Sequence, residues 1–156
     1  MKSLPPVERC TMKSEAAGRL VVIDTNILVS ALWSNLGAPR KLLDYVGQMG
    51  TLKPCYDARI MREYTAVLHR PKFLFEPEEI DVVLEEIRQN GWLIVEPASV
   101  DRFTGLDRAQ FPDQDDIAFV EVAAAVGCPL VTGNLKHFPG VSFAITVREF
   151  LDACNL

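Results

Sequence analysis

Short apolar runs alternate with segments of helical period along most of the chain, and no other feature of the sequence limits the fold as much. A run of about five apolar residues suits a strand buried on both faces, and apolar residues at i, i+3, i+4 and i+7 suit a helix laid on such a sheet. The alternation predicts an α/β domain with a mainly parallel sheet. Strands are expected at 20–24, 51–55, 92–96, 129–132 and 143–146, and helices at 26–34, 38–48, 57–69, 77–90, 114–126 and 147–153. The segment "PEEIDVVLEEIRQNG" shows the logic: Ile80, Val83, Leu84 and Ile87 line one face, Pro77 suits a first turn and Gly91 a C-terminal cap.

With 156 residues the chain can bury one sizeable core, and residues 19–156 are expected to form that single domain. Residues 1–18, "MKSLPPVERCTMKSEAAG", are polar with a proline pair and are expected to be a disordered or loosely packed extension. A hydrophobic fraction of 49% and a charged fraction of 24% exclude a wholly disordered or fibrous chain. The formal charge of −5 argues against a broad electrostatic grip on nucleic acid but leaves room for a local basic rim. Cys10, Cys55, Cys128 and Cys154 are scattered, without the pairing of a zinc knuckle or redox motif, so buried thiols are expected. No run reaches the length of a membrane span and residues 1–18 lack the apolar core of a secretory signal, which predicts a cytoplasmic protein.

Within this frame some polar residues fall where apolar ones would pack more easily. In "RLVVIDTNILVSAL", Asp24 stands between a buried strand and a helix, where capping the helix is its simplest role. In parallel sheets, however, ligands bind beyond the carboxyl ends of the strands near a switch in strand order, and Asp24 faces that edge. Glu63 lies at the border of the apolar stripe Ile60, Tyr64, Val67 and Leu68, within reach of the same cleft. Asp113, Asp115 and Asp116 precede the most apolar helix; Asp113 is a natural cap, and one cap does not need three acids. The strand "PLVTGN" ends in Thr132, Gly133 and Asn134 at the same edge. Four separate segments therefore bring oxygen ligands together.

The stretches "VVIDTNILVSAL", "EYTAVLHRPKF", "DQDDIAFVEVAAAVGCPLVTGN" and "ITVREFL" together resemble a PIN-domain protein of the bacterial toxin type, the group of VapC-like toxins. The resemblance runs from about Arg19 to Leu151 and lies in order and spacing. It implies a three-layer α/β/α fold on a doubly wound, five-stranded sheet, a ribonuclease dependent on one or two Mg2+ or Mn2+ ions, and a cognate antitoxin. Residue by residue, it implies Asp24, Glu63 and Asp116 as catalytic and metal-binding acids, Asp116 lying sixteen residues before Thr132, with Asp115 and Asn134 as further ligands. Asn134 departs from the family, which commonly has an acid there.

The chemistry fits those residue types. Magnesium prefers hard oxygen ligands, whereas carboxylates about 4 Å apart repel by roughly 4 kcal/mol at an effective dielectric near 20. Without metal or protons such a cluster destabilises its fold. Thr25, Asn26 and Thr132 can orient a carboxylate or a bound water, or serve only as turn and capping residues. Arg40, Lys41, Arg59, Arg62, Arg70, Lys72, Lys136 and His137 are candidates for phosphate contacts with single-stranded or structured RNA. A phosphoaspartyl hydrolase would want an acid where Asn26 stands, and a receiver-type switch an acid pair beside Asp24. The stronger alternative is a catalytically weak or inactive PIN-like binding module, for which Asn134 is the argument. Beyond RNA, the partners expected are the antitoxin and a second copy in a homodimer, with no membrane. The antitoxin would lie as an amphipathic segment in a groove between helices 57–69 and 77–90, against Tyr64, Leu68 and the acids from Glu76 to Glu86.

Overall fold

The computed structural model describes residues 19–47, 50–95, 99 and 106–156; the expected N-terminal extension, with Cys10, lies outside them. In chain order the elements are β1 (Arg19–Ile23), α1 (Thr25–Trp33), α2 (Ala38–Gly47), β2 (Leu52–Tyr56), α3 (Ala58–Leu68), α4 (Pro77–Asn90), β3 (Trp92–Leu93), α5 (Ile117–Val126), β4 (Leu130–Val131), β5 (Ala144–Ile145) and α6 (Val147–Ala153). Short 3-10 turns at Pro71–Phe73, Arg108–Gln110, Gln114–Asp116 and Leu135–His137 fill the connections.

The sheet order is β3-β2-β1-β4-β5 and every pairing is parallel, which sharpens the expected mainly parallel sheet. With its helices this is the three-layer α/β/α arrangement of a PIN-like fold. The chain builds outward from β1 to β3, then returns to lay β4 on the other side of β1. The switch in strand order therefore falls between β1 and β4, the place at whose carboxyl ends parallel sheets bind their ligands. Register fixes what faces it: Ile23 pairs with Val131, and the Asp24 N–H donates to the Val131 carbonyl at 2.9 Å, so Asp24 and Thr132 leave their strands side by side.

Val21, Val22 and Ile23 of β1 are fully buried, as a central parallel strand requires. Helix α3 buries Ile60, Tyr64 and Leu68, and the Tyr64 hydroxyl donates to the Ile23 carbonyl, tying the helix to the residue before Asp24. Burial of Tyr64 and Leu68 overturns the expected antitoxin groove in one respect: these two side chains are core, because an apolar stripe beside a sheet packs onto it before it can serve a partner. Helix α5 has buried residues on every side over Ile117–Ala123 and ends at Gly127, whose φ of +79° favours glycine.

Boundaries differ in physical ways. Of the expected strand 92–96, residue 96 lies outside the described residues; among those described the strand is Trp92–Leu93 at the sheet edge, paired with β2 on one side and exposed. The expected helix 114–126 opens instead as a 3-10 turn capped by Asp113 before α5 begins at Ile117. Gly91 does follow α4, yet in an extended conformation; a Cβ there would meet the Ile87 and Pro54 carbonyls at 2.3 and 2.4 Å. Close approach of two backbones, not a left-handed turn, asks for glycine. Cys55, Cys128 and Cys154 are buried as expected.

Candidate active site

Asp24 caps α1 through a 2.8 Å hydrogen bond from the Thr25 N–H to Oδ1. Its other oxygen is also taken: the Thr132 hydroxyl donates to Oδ2 at 2.7 Å. The loop after β4 is held to the same point. The Asn134 N–H donates to Thr132 Oγ1 at 3.0 Å, and the Gly133 N–H donates to Asn26 Oδ1 at 3.1 Å. Asn134 Oδ1 accepts from the Lys136 N–H at 3.3 Å, capping the short turn that carries His137. His137 Nδ1 then lies 3.4 Å from Asp116 Oδ2.

Asp116 stands where the 3-10 turn passes into α5. Asp113 forms that turn by accepting from the Asp115 N–H at 2.9 Å, which leaves Asp115 exposed and turns Asp116 inward. Asp116 Oδ2 is buried and has no hydrogen-bond partner among the described residues, since the His137 contact lacks hydrogen-bond alignment. An orphaned carboxylate oxygen is costly in a folded protein unless protonated or given a cation.

The electrostatics follow from that crowding. Burial, with the charges of Asp24, Asp113, Glu63 and Asp115, pushes the Asp116 carboxyl up to about 7. Burial also raises Asp24, against the hydrogen bonds from Thr132 and Thr25 and the influence of His137. Glu63 is half-buried on α3 and is raised by burial and by Asp115 and Asp113, with Arg70 opposing. Asp24, Glu63 and Asp116 thus share one field, to which Asp113 contributes at all three. Among the described residues no group of three or more His, Cys, Asp or Glu side chains forms a ready cage for a metal ion. The donor set fits an ion held by one or two carboxylates and several waters, which is how magnesium is usually bound.

Beside the acids, a cleft of about 380 Å³ is lined by Glu63, Asp115, Gln114, Arg59, Arg62 and Arg108. Arg59 is held there by 2.8 Å and 2.6 Å ion pairs to Asp57 and Glu121. Arg70 is exposed and its charge reaches Glu63. Lys72 is exposed with Nζ 5.1 Å from the Phe73 ring centre. Lys136 is exposed on the wall of a different cavity, with Asn134, Thr132 and Arg148.

Arg40 and Lys41 are not brought to the acids. Arg40 pairs with Asp44 at 3.3 Å, Lys41 Nζ donates to the Leu156 carbonyl at 3.2 Å, and both line a further cavity beside Arg148 and Asp152. Thr25 is buried with Oγ1 unpartnered among the described residues. Sequence reasoning underrated Asp113, read as a cap alone, and passed over Glu121 and Arg108. The signal for Glu121 was present as a lone acid inside "IAFVEVAAAV".

A family model described as PIN domain matches residues 20–136, an interval containing Asp24, Glu63, Asp113, Asp115 and Asp116 together with Thr132 and Asn134. The chain belongs to the PIN domain family. PIN domains are generally nucleases, acting on nucleic acids and typically using divalent metal ions. Comparison with curated proteins and with solved structures gives no significant match. No helix among the described residues is long and apolar enough to cross a membrane.

Proposed function

We propose that this protein is a ribonuclease that hydrolyses RNA phosphodiester bonds with one or two Mg2+ or Mn2+ ions, and that it is the toxin of a toxin–antitoxin pair. The observation that carries the enzymatic reading is the buried, unpartnered Asp116 Oδ2 in the common field of Asp24, Glu63 and Asp113. Asp24 and Asp116 would hold the metal, with Glu63 and Asp115 at its open side and Asn134 at the margin. When bound, a divalent ion supplies a water acidic enough to attack near neutral pH and a Lewis acid for the phosphoryl oxygens.

The chain's own residues divide the remaining work. Thr132 and the Thr25 N–H fix the Asp24 carboxylate, so its orientation is set before substrate arrives. Asp57 and Glu121 fix Arg59, which with Arg62 and Arg108 offers guanidinium groups to the phosphates of a strand in the cleft. Asp113 keeps Asp116 inward.

The competing reading, a PIN-like binding module without useful catalysis, draws on Asn134, whose amide oxygen caps the Lys136 N–H, and on the lack of a three-ligand cage among the described residues. Two carboxylates and water suffice for magnesium, so neither observation outweighs the orphaned Asp116 oxygen. The toxin role rests on the resemblance to VapC-like proteins, as do the cognate antitoxin and the homodimer. Incubation of the purified chain with single-stranded RNA tests the enzymatic reading. Cleavage should require added Mg2+ or Mn2+, stop with chelator, and fall at least about a hundredfold in Asp24→Asn and Asp116→Asn. Cleavage that survives chelation or either substitution would remove it. Co-expression with the neighbouring reading frame, followed by co-purification and growth assay, tests the toxin role.

A further inference from the structure

Away from the acids, the end of α1 and the 3-10 turn after α3 carry an aromatic cluster that the hydrolytic site does not use. Phe73 and Phe75 lie nearly parallel, 12° between planes and 5.5 Å between centres, and Trp33 stands across both at 5.2 Å and 6.2 Å. Phe73 and Phe75 are half-buried against the core, whereas Trp33 is 64% exposed. Between the two phenylalanines Leu74 has a φ of +57° and is 86% exposed, so a leucine is held in a left-handed conformation it disfavours with its apolar side chain in solvent. Cations flank the rings. Lys72 sits over Phe73, Arg70 is exposed two residues before it, and the segment "HRPKFLF" contains no acid in a chain of net charge −5.

We propose that Trp33, braced by Phe73 and Phe75 and flanked by Arg70 and Lys72, forms a stacking platform for bases of a single-stranded RNA whose scissile phosphate lies at the acids. The inference rests on the ribonuclease reading and adds the surface along which the strand leaves the acids. Continuity with the site supports it: α3, which carries Glu63, ends at Leu68 and leads through the exposed Arg70 into the 3-10 turn Pro71–Phe73. A strand leaving the acids along α3 therefore meets Arg70 and Lys72 first and the rings next. Alternation of guanidinium or ammonium groups for phosphates with aromatic faces for bases is the chemistry of single-strand binding, since every base has a face to stack and a duplex keeps its faces covered.

Trp92→Phe leaves Trp33 as the sole tryptophan, and the further substitution Asp116→Asn stops turnover under the ribonuclease reading. Titration of this full-length variant with an unstructured oligoribonucleotide should quench Trp33 fluorescence, while the same sequence in a duplex should not. Trp33→Ala should weaken single-strand binding about tenfold or more, read by anisotropy of labelled RNA, without changing its salt dependence. Lys72→Ala should lower the slope of log affinity against log salt by about 0.7. Absence of quenching, equal quenching by duplex, or unaltered binding by Trp33→Ala would overturn the platform. Loss of self-association in Trp33→Ala with RNA binding intact would also overturn it, assigning the patch to a second copy of the chain. The ribonuclease reading is scored separately, by cleavage in the unsubstituted protein: cleavage without quenching removes only the platform.

Discussion

The Thr132 hydroxyl donates to Asp24 Oδ2 at 2.7 Å, joining the carboxyl ends of β1 and β4 across the switch in strand order. The same oxygen atom of Thr132 accepts from the Asn134 N–H, so one hydroxyl orients an acid and closes the turn beyond it. Asp24 and Thr132 are both buried, so water does not readily replace the donor.

Thr132→Val should therefore cost about 1–3 kcal/mol, the penalty for stranding buried polar partners, and lower the melting temperature by several degrees. Thr132→Ser retains the hydroxyl and should recover most of that loss. Denaturant unfolding of the two variants checks the order; equal stability would mean that the hydroxyl bond contributes nothing net.

Proton linkage at Asp116 has a definite sign. Its carboxyl is raised from an ordinary value of 3.8 to about 7, so between those values the folded state holds a proton that the unfolded state has released. Stability from this group is full below about pH 4, declines as pH rises, and is lost above about 7. Asp24 and Glu63, raised in the same direction, add to the decline. Metal-free protein should melt at lower temperature at pH 8 than at pH 5, and Asp116→Asn should flatten that dependence and stabilise the metal-free fold at pH 8. Melting curves across the range measure it. A parallel pH dependence in the variant would place the linkage elsewhere.

Much of this arrangement was legible in the sequence because it is written in local periodicity. Asp24 ends an unbroken apolar strand, and Glu63 sits at the border of the stripe formed by Ile60, Tyr64 and Leu68, so both positions follow from side-chain period alone. Partners distant in sequence were not legible. Arg59 meets Glu121 across 62 residues, and Asp113 acts as a cap locally while raising three other acids through space. Arg40 shows the converse, a basic residue whose neighbour Asp44 one helical turn on claims it. The ring cluster was hidden for a similar reason, since Trp33 and Phe73 belong to different segments.

Asn134 lies three residues beyond β4, at the start of the 3-10 turn Leu135–His137. Asn134→Asp keeps an oxygen to cap the Lys136 N–H and adds a negative charge beside Thr132 and Asp24. The substitution should tighten Mn2+ binding and raise cleavage at limiting Mn2+. Superimposable metal titrations of the two proteins would show that this position contributes nothing to the ion.

A calorimetric titration of the full chain with Mn2+ near neutral pH tests the central claim, that Asp24 and Asp116 form a divalent-metal site. Binding should be detectable and should release protons, seen as a heat that varies with the buffer, because Asp116 with its value of about 7 is partly protonated there. Asp24→Asn and Asp116→Asn should each abolish binding or weaken it at least about tenfold. No binding by the unsubstituted chain, or binding of equal affinity in both variants, would contradict the account.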